Sequence, residues 1–174
     1  MAPDLTPRLA RIRLLCTDVD GVLTTGHLHY GLESAHARAF HVRDGAAIKW
    51  REASGGPVAF ISGLATPATR LRAMDLAVED CFMGRLEKLP ILEQLAAKHA
   101  LELDQIAHIG DDLHDLPLLR RVGLACCPED AVDEVKAVSH WIGPVRGDRG
   151  VLRAVGEAML KAQGKWDGIV AKYE

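Results

Sequence analysis

The sequence predicts an α/β protein with a doubly wound, mostly parallel sheet and helices on both faces. Short apolar runs alternate with segments of helical periodicity along the 174 residues, which is the pattern of parallel strands joined by helices. Three of the apolar runs end in polar residues, at the strand ends where sites form in such sheets. No repeat, low-complexity tract or linker divides the chain, so we predict one domain over residues 1–174.

The predicted elements follow one another in chain order. Strands are predicted at 12–18, 57–63, 78–84, 106–112, 124–128 and 140–143. Helices are predicted at 44–54, 66–76, 89–101, 113–123, 131–139 and 150–164. Two helix starts carry clear signals. Thr66 is a candidate N-cap with Pro67 at the first helical position, and Pro90 places the next start near Leu89.

Residues 26–42 are predicted to form a β-hairpin. Residues 27–31 and 36–42 alternate in the manner of strands, and the turn-like stretch 31–34 lies between them. The hairpin comes directly after the first predicted strand, and a chain of this length leaves no room for a separate cap domain. We therefore expect the hairpin to act as a small flap over a site at the end of that strand.

The composition is that of a globular protein and argues against several functions. Hydrophobic residues make up 48% of the chain and charged residues 26%. A net charge of −3 argues against nucleic-acid binding, and no apolar stretch reaches the roughly 20 residues that cross a membrane. The N-terminus lacks the apolar core of a secretory signal. The cysteines have no C-x-x-C spacing, so we expect buried, reduced thiols in the cytoplasm at Cys16, Cys81, Cys126 and Cys127.

The candidate chemistry lies at the ends of three predicted strands and at one helix start. The residues are, in chain order, Asp18 and Asp20, Ser62 with Gly63, Lys88, and Asp111 and Asp112 with Asp115. Because the carboxyl ends of parallel strands share one edge of the sheet, these side chains are expected to lie close together. An acid pair, a hydroxyl, a lysine and an acid cluster in this order favour phosphoryl transfer.

The acidic residues predict a Mg²⁺ site. Carboxylates that converge from two strands form a hard, all-oxygen ligand set, which suits Mg²⁺. Its double positive charge would allow Asp18, Asp111 and Asp112 to remain ionised together, although like charges at such spacing repel. A calcium-binding EF-hand loop is excluded, because Val22 and Leu23 stand where that loop needs a polar ligand and a glycine.

The other side chains have roles that suit a phosphoryl group. Ser62 can donate a hydrogen bond to a phosphoryl oxygen, and Lys88 can neutralise developing charge. Aspartate is a competent nucleophile toward phosphorus, which makes Asp18 a candidate. Asp20 is two residues on and therefore on the same side of an extended chain, so that it can act on the leaving oxygen.

The motifs together resemble the haloacid-dehalogenase superfamily of aspartate-nucleophile phosphatases. Its first signature matches residues 18–22, its second Ser62, its third Lys88 and its fourth the stretch GDDLHD from Gly110. Within the superfamily the chain is similar to the small capless branch of 3-deoxy-D-manno-octulosonate 8-phosphate phosphatases. That similarity lies in residues 40–50, 110–125 and 147–166, and the resemblance as a whole covers residues 12–166.

The resemblance implies a reaction and a role for each matching residue. It implies that Asp18 forms an aspartyl-phosphate and that Asp20 protonates the leaving alkoxide and later activates water. It implies that Mg²⁺ is held by Asp18, the backbone carbonyl of Asp20, and Asp111, with Asp112 and Asp115 supporting its waters or Lys88. The implied substrate is a phosphorylated keto-deoxy sugar acid. Its implied contacts are Gly63, His41, Val42, Arg43, Asp44, Gly45, Lys49, Arg72 and His114.

Two positions depart from the branch. His41 stands where the branch has Asn, and Leu64 stands where octulosonate phosphatases usually have an Arg after the Ser-Gly pair. A guanidinium can pair with a carboxylate through two hydrogen bonds, which leucine cannot. Arg70 or Arg72 is a candidate replacement. The alternative is a different substrate, such as a nonulosonate (sialic-acid-type) 9-phosphate.

The resemblance also implies a homotetramer in which the flap hairpins assemble. A neighbouring subunit would then complete each site, in part through its C-terminal tail, residues 163–174. Trp166 lies in that tail and fits either contact with a neighbour or packing on its own domain. Two other classes remain as competitors. One is a signalling receiver domain, whose adjacent acid pair belongs to the first strand instead of a late one, and the other is a catalytically silent domain.

Overall fold

The computed structural model describes residues 4–29 and 37–174 and shows a six-stranded parallel sheet with helices on both faces. The strands are β1 (Leu14–Thr17), β2 (Val58–Ile61), β3 (Asp80–Phe82), β4 (Ile106–Ile109), β5 (Leu124–Cys127) and β6 (Trp141–Ile142). The helices are α1 (Thr6–Arg11), α2 (Val42–Ala53), α3 (Pro67–Leu76), α4 (Leu89–His99), α5 (Leu116–Leu119), α6 (Asp133–Val138), α7 (Val151–Ala162) and α8 (Trp166–Val170). The predicted fold class is confirmed.

The sheet order places the first strand at the centre. The order is β3-β2-β1-β4-β5-β6, so the chain crosses from one side of β1 to the other between β3 and β4. Thr17 pairs with Phe60 of β2 on one side and with Ile109 of β4 on the other. Residues that follow β1, β2 and β4 therefore lie at one edge, at the switch point where ligands bind in sheets of this kind.

Two apolar layers cover the sheet, and the side chains of β1 alternate between them. Leu15 packs into the layer under α2 and α7, together with Ile48 and Val155. Leu14 packs into the opposite layer, which α4, α5 and α6 cover and which includes Leu92. All five side chains are almost completely buried. Since burial of such a side chain contributes about 1.5–3 kcal/mol, the two layers hold β1 rigidly in place.

The helix starts at Thr66 and Leu89 are confirmed. The side chain of Thr66 accepts a hydrogen bond from the backbone N–H of Thr69, 3.1 Å away, at the start of α3. Helix α4 begins at Leu89, with Pro90 in its first turn. The predicted helix at 113–123 is shorter than expected: a 3₁₀ turn over Leu113–Asp115 leads into α5, which ends at Leu119.

The predicted hairpin lies partly outside the described residues. In its described parts, 26–29 and 37–41, no residue belongs to a strand, and α2 already begins at Val42. Val42, the last residue of the strand predicted at 36–42, is instead the first residue of α2, because His41 caps that helix. The flap and the single-domain boundaries stay predictions. Within the described ranges no segment forms a cap domain, and no helix is long and apolar enough to cross a membrane.

The C-terminal tail packs on its own chain. Helix α8, which the sequence did not predict, brings the Trp166 ring edge-on to Trp50 of α2 at 5.7 Å. Arg153 of α7 lies over both rings, 4.3 Å from the centre of Trp50 and 5.3 Å from that of Trp166. Such cation–π contacts contribute about 0.5–2 kcal/mol each. Trp166 therefore packs on its own domain, and its contact with a neighbouring subunit stays a prediction.

Candidate active site

The nucleophile candidate follows the central strand directly. The backbone N–H of Asp18 donates to the carbonyl of Ile109, 2.9 Å away, so Asp18 extends the pairing of β1 with β4 by one residue. The side chain is only 11% exposed. The chain then turns sharply, since the carbonyl of Val19 accepts hydrogen bonds from the N–H groups of Leu23 and Thr24. Asp18 is thus held at the base of a rigid turn.

Gly21 allows the acidic loop after β4 to approach this turn. Its backbone has φ +97°, a conformation that side-chain-bearing residues rarely adopt. A Cβ at this position would lie 2.0 Å from Oδ2 of Asp111. The carboxylate of Asp111 therefore occupies the space that any other residue at position 21 would fill, and this close approach brings Asp111 to Asp18.

Three carboxylates share the resulting space. One oxygen from each of Asp18, Asp111 and Asp115 lies within 4.8 Å of the others. Oδ1 of Asp111 is buried and has no hydrogen-bond partner among the described residues. Asp112, by contrast, is exposed, and its side chain accepts a hydrogen bond from the N–H of Leu113. The cluster of three carboxylates is therefore better suited to bind a divalent cation than to accept hydrogen bonds from the protein's own donors.

Lys88 is the positive charge of this cluster. It lies directly before α4, is 3% exposed, and places Nζ 2.8 Å from Oδ1 of Asp115 and 3.1 Å from Oδ1 of Asp18. His108, fully buried in β4, lies on the other side of Asp115 with Nε2 2.8 Å from the same Oδ1. Asp115 is therefore held between two buried groups and holds Lys88 toward Asp18.

The pKa values show that one lysine does not balance the carboxylates. Burial and the nearby charge of Asp115 raise the pKa of Asp18, and Lys88 offsets this only in part. Burial, followed by the charges of Asp18 and Asp115, raises the pKa of Asp111 to about 8. The pKa of Asp115 is lowered despite burial, because His108 and Lys88 bond to it. Asp18 and Asp111 therefore lack a second cationic partner.

Asp20 and Ser62 meet beside this cluster. Oδ2 of Asp20 is 3.5 Å from the hydroxyl of Ser62, which is completely buried. The backbone of Leu64 accepts a hydrogen bond from the Ser62 hydroxyl at 3.0 Å and returns one from its N–H at 3.1 Å. The other oxygen of Asp20 pairs with Arg38, whose Nε is 2.6 Å away and whose side chain is 2% exposed.

A cleft of about 240 Å³ opens onto these groups. Its lining contains Asp18, Asp20, Gly63, Leu64, Leu86, Lys88, Asp111, Asp112, His114 and Asp115. The structure thus brings every predicted catalytic and metal residue to one place, with Ser62 directly behind the lining. Gly63, Leu64 and His114 stand at the cleft as well. The cleft is polar at its base and apolar at its mouth, where Leu64 and Leu86 are exposed.

The other predicted substrate contacts are outside this lining, as far as the described residues go. They are His41, Val42, Arg43, Asp44, Gly45, Lys49 and Arg72, on α2, its N-cap and α3. Asp44 is buried and accepts a hydrogen bond from the N–H of Arg153 at the start of α7, 2.8 Å away. Burial raises the pKa of Asp44 to about 6. Asp44 thus joins α2 to α7, and the substrate roles of this group stay predictions.

The loop between β6 and α7 contacts the turn that follows β1. The N–H of Asp148 donates to the carbonyl of Val22 at 3.0 Å, and the N–H of Gly147 donates to Oδ1 of Asp130 at 2.9 Å. A Cβ on Gly147 would lie 1.9 Å from the carbonyl oxygen of Gly21. Gly147 therefore permits backbone-to-backbone contact, which prevents the turn from moving away from Asp111.

The sequence did not single out two residues that the structure places in the site. His108 carried a detectable signal, because a polar residue inside a buried strand needs a partner, and the acidic cluster begins three residues later. Arg38 carried none. It belongs to a stretch that alternates like a strand, and only the fold shows that it reaches Asp20.

The fold and the site define a phosphoric monoester hydrolase with an aspartate-rich centre, and comparison with known proteins gives the family. Residues 80–155 match the model of the haloacid dehalogenase-like hydrolases. The 3-deoxy-D-manno-octulosonate 8-phosphate phosphatase of Yersinia pestis is 36% identical over 168 residues, which are 97% of this chain and 90% of that protein. The chain belongs to the haloacid dehalogenase-like hydrolases, in the family of the 3-deoxy-D-manno-octulosonate 8-phosphate phosphatases.

Two solved structures from this family match over nearly the whole chain. The phosphatase of Moraxella catarrhalis, in complex with a magnesium ion, a phosphate ion and KDO, has a TM-score of 0.95, 33% identity and 98% coverage of both chains. The cobalt-bound phosphatase of Haemophilus influenzae has a TM-score of 0.88 and 37% identity, covering 91% of this chain and 93% of that one. The resemblance inferred from the motifs is confirmed, and the chain is a hydrolase, not a receiver domain.

Loss of Lys88 is expected to destabilise the metal-free protein. Lys88→Met leaves the buried Asp18 and Asp115 without their shared cation, so the free energy of unfolding should fall by about 3 kcal/mol. The matched control is Lys98→Met, which removes an ion pair with Asp80 from a side chain that is 48% exposed. That change should cost less than about 1 kcal/mol. Urea unfolding at pH 7.5 measures both, and equal losses would contradict the role of Lys88.

Proposed function

We propose that the protein is a Mg²⁺-dependent 3-deoxy-D-manno-octulosonate 8-phosphate phosphatase that works through an aspartyl-phosphate at Asp18. The observation that carries this proposal is the three-carboxylate cluster beside the buried Lys88, in a chain of this family. The cluster places a nucleophile, a cation and room for a metal ion at one end of a cleft of about 240 Å³. Family membership supports the substrate, and the geometry supports the mechanism.

Mg²⁺ fits the residues present. Asp18 and Asp111 have raised pKa values, and Oδ1 of Asp111 has no hydrogen-bond partner in the described ranges, so a divalent cation would relieve their repulsion. We assign the metal to Asp18, the backbone carbonyl of Asp20, and Asp111, with Asp112 at the rim. Asp115 is committed to Lys88 and His108 and supports the site from behind. When bound, Mg²⁺ supplies positive charge against the phosphoryl oxygens.

In the first step an oxygen of Asp18 attacks phosphorus. A bond forms between that oxygen and phosphorus, and the bond between phosphorus and the sugar oxygen breaks. Asp20, carrying a proton, transfers it to the departing oxygen, so that the sugar acid leaves as an alcohol and not as an alkoxide.

In the second step water releases the phosphate. Asp20, now ionised, takes a proton from a water molecule as that water attacks phosphorus. The bond between phosphorus and Asp18 breaks, which returns the carboxylate and yields inorganic phosphate. Lys88 stays within ion-pair distance of Asp18 and can balance the charge of the transferring group, while Ser62 can donate to a phosphoryl oxygen.

Leu64 bears on which sugar the cleft accepts. It stands exposed at the mouth of the cleft, where an arginine could have paired with a sugar carboxylate. This observation favours a second candidate substrate, a nonulosonate 9-phosphate, whose longer chain places its carboxylate elsewhere. His114 at the cleft, and the predicted contacts on α2 and α3, remain available to either substrate.

We also propose a homotetramer in the cytoplasm. Leu86 and Leu113 are 63% and 53% exposed beside the cleft mouth, and Leu64 is 43% exposed. Apolar side chains grouped around a polar cleft suit a surface that a second copy covers. The four cysteines are free, as a reducing compartment requires. A gel-filtration mass equal to one chain would count against the tetramer.

Replacement of the nucleophile should abolish turnover. Asp18→Asn keeps the shape of the side chain and removes one of the crowded charges, so the protein is expected to stay folded but to release no phosphate. Ser62→Ala should lower kcat about 10- to 1,000-fold, as for one hydrogen-bond donor to the phosphoryl group. Phosphate release and melting temperature are measured on both variants. Retained turnover by folded Asp18→Asn would eliminate the proposed mechanism.

Mg²⁺ should stabilise the protein as well as activate it. At about 100 times its dissociation constant the ion should add about 2.7 kcal/mol to the free energy of unfolding, because it binds only the folded carboxylate cluster. Asp111→Asn should lose most of this gain, whereas Asp167→Asn, exposed on α8, should keep it. Melting temperatures with EDTA and with Mg²⁺ give the readout. Equal gains in the two variants would place the metal elsewhere.

A comparison of substrates tests the sugar. Steady-state kcat/KM is measured for octulosonate 8-phosphate, a nonulosonate 9-phosphate and hexose phosphates, and the octulosonate ester is expected to be the best. Leu64→Arg should lower its KM, since the new guanidinium can pair with the sugar carboxylate. A clear preference for the nonulosonate ester would select the second candidate, and a preference for hexose phosphates would exclude sugar acids altogether.

A further inference from the structure

Arg38 is a buried cation in the site whose function the reaction scheme above leaves open. Its side chain is 2% exposed, and its Nε lies 2.6 Å from Oδ1 of Asp20. Removal of a guanidinium from water costs several kcal/mol, which a single carboxylate offsets only with good geometry. The burial of Arg38 against Asp20 therefore has a cost in stability. A function in fixing the position of Asp20 would account for that cost.

The contact between Arg38 and Asp20 gives the two carboxylate oxygens of Asp20 different surroundings. Oδ1 is occupied by Arg38 through a charge-assisted hydrogen bond. Oδ2 is not bonded to Arg38 and lies 3.5 Å from the hydroxyl of Ser62. An unheld aspartate can rotate about χ1 and χ2 and exchange its oxygens. With Arg38 in place, Oδ2 is the oxygen that remains for the substrate.

The segment that carries Arg38 is itself fixed by α3. Nη2 of Arg72 donates to the carbonyl of His41 at 3.3 Å, and its guanidinium lies 5.6 Å from the centre of the Phe40 ring. Gly45 makes room for this arginine, since a Cβ there would lie 2.5 Å from Nη2. His41 ends the segment as the N-cap of α2. Phe40 and His41 are thus held against α3 and α2, which fixes the chain two residues after Arg38.

We propose that Arg38 is a positioning residue for proton transfer: by holding Oδ1 of Asp20, it presents Oδ2 to the leaving oxygen of the substrate. This inference rests on the proposed function, in which Asp20 protonates the departing alkoxide. The proton moves from Oδ2 of Asp20 to the ester oxygen as the bond from that oxygen to phosphorus breaks, and Arg38 keeps its own protons throughout. The binding of the sugar is not part of the proposal.

Two esters with different leaving groups test this role. The leaving group of the sugar 8-phosphate is an alkoxide unless Asp20 protonates it, whereas the leaving group of p-nitrophenyl phosphate is a stabilised phenolate that needs little protonation. The quantity compared is kcat/KM, which reports the steps up to departure of the leaving group. The later hydrolysis of the aspartyl-phosphate is common to both esters and does not enter it.

Arg38→Met is expected to lower kcat/KM about 10- to 100-fold for the sugar ester, which is less than the roughly 100- to 10,000-fold contribution of a general acid because Asp20 itself remains, and less than about threefold for the aryl ester. Asp20→Asn should show the same selectivity more strongly. The matched control is Arg121→Met, an exposed arginine at the end of α5 that should leave both values unchanged. Arg38→Lys keeps a cation and a donor, so a smaller loss with the same selectivity is expected.

Equal losses on the two esters, or a rise in KM with kcat unchanged, would overturn the proposal, since these are the marks of a structural or a substrate-binding role. If Arg38→Met does not fold, as judged by its melting temperature, the comparison is made with Arg38→Lys and the same criteria apply. The activity of the wild-type protein on the sugar ester tests the proposed function separately, because it does not depend on any Arg38 variant. Should another alkyl phosphate be preferred, it replaces the sugar ester, because the role of Arg38 depends on the leaving oxygen and not on the sugar.

Discussion

The crowding of carboxylates at the ends of β1 and β4 is the constraint on which the rest of the site depends. Three of them lie within 4.8 Å of one another, and burial raises the cost of every charge. The protein offsets this cost with one buried cation, Lys88, which Asp115 and His108 hold in place. The arrangement remains deficient in positive charge, and this deficiency makes the centre a receptor for a cation and a phosphoryl group.

Glycines set how closely the loops can meet, and thereby how crowded the centre becomes. Gly21 lets the carboxylate of Asp111 lie against the turn after β1. Gly110 does the same for Asp115, since a Cβ there would lie 2.4 Å from the Cβ of that residue. Gly147 then brings a third loop against the backbone of Gly21. The crowding of charges in the site thus depends on close contacts with glycine residues, which no larger residue would permit.

Much of this site could be predicted from the sequence, because its residues directly follow apolar strands. Asp18, Ser62 and Asp111 each lie at or just beyond a strand end, and parallel strands bring such ends together. The stretch from His41 to Gly45 was harder, since its residues match contacts of the family but serve the fold as well. Asp44 joins two helices, a role that depends on how α2 packs on α7 and that no local pattern encodes.

The sequence by itself determined the fold class, the order along the chain of the strands in the sheet region and the phosphatase chemistry, because alternating apolar runs and short motifs are local properties. The tertiary structure alone decided which charges meet. It placed Arg38 on Asp20, 18 residues away along the chain, and folded Trp166 back onto Trp50. Contacts of this kind arise from the packing of elements that are distant in sequence, so they follow from the three-dimensional arrangement and not from any single segment.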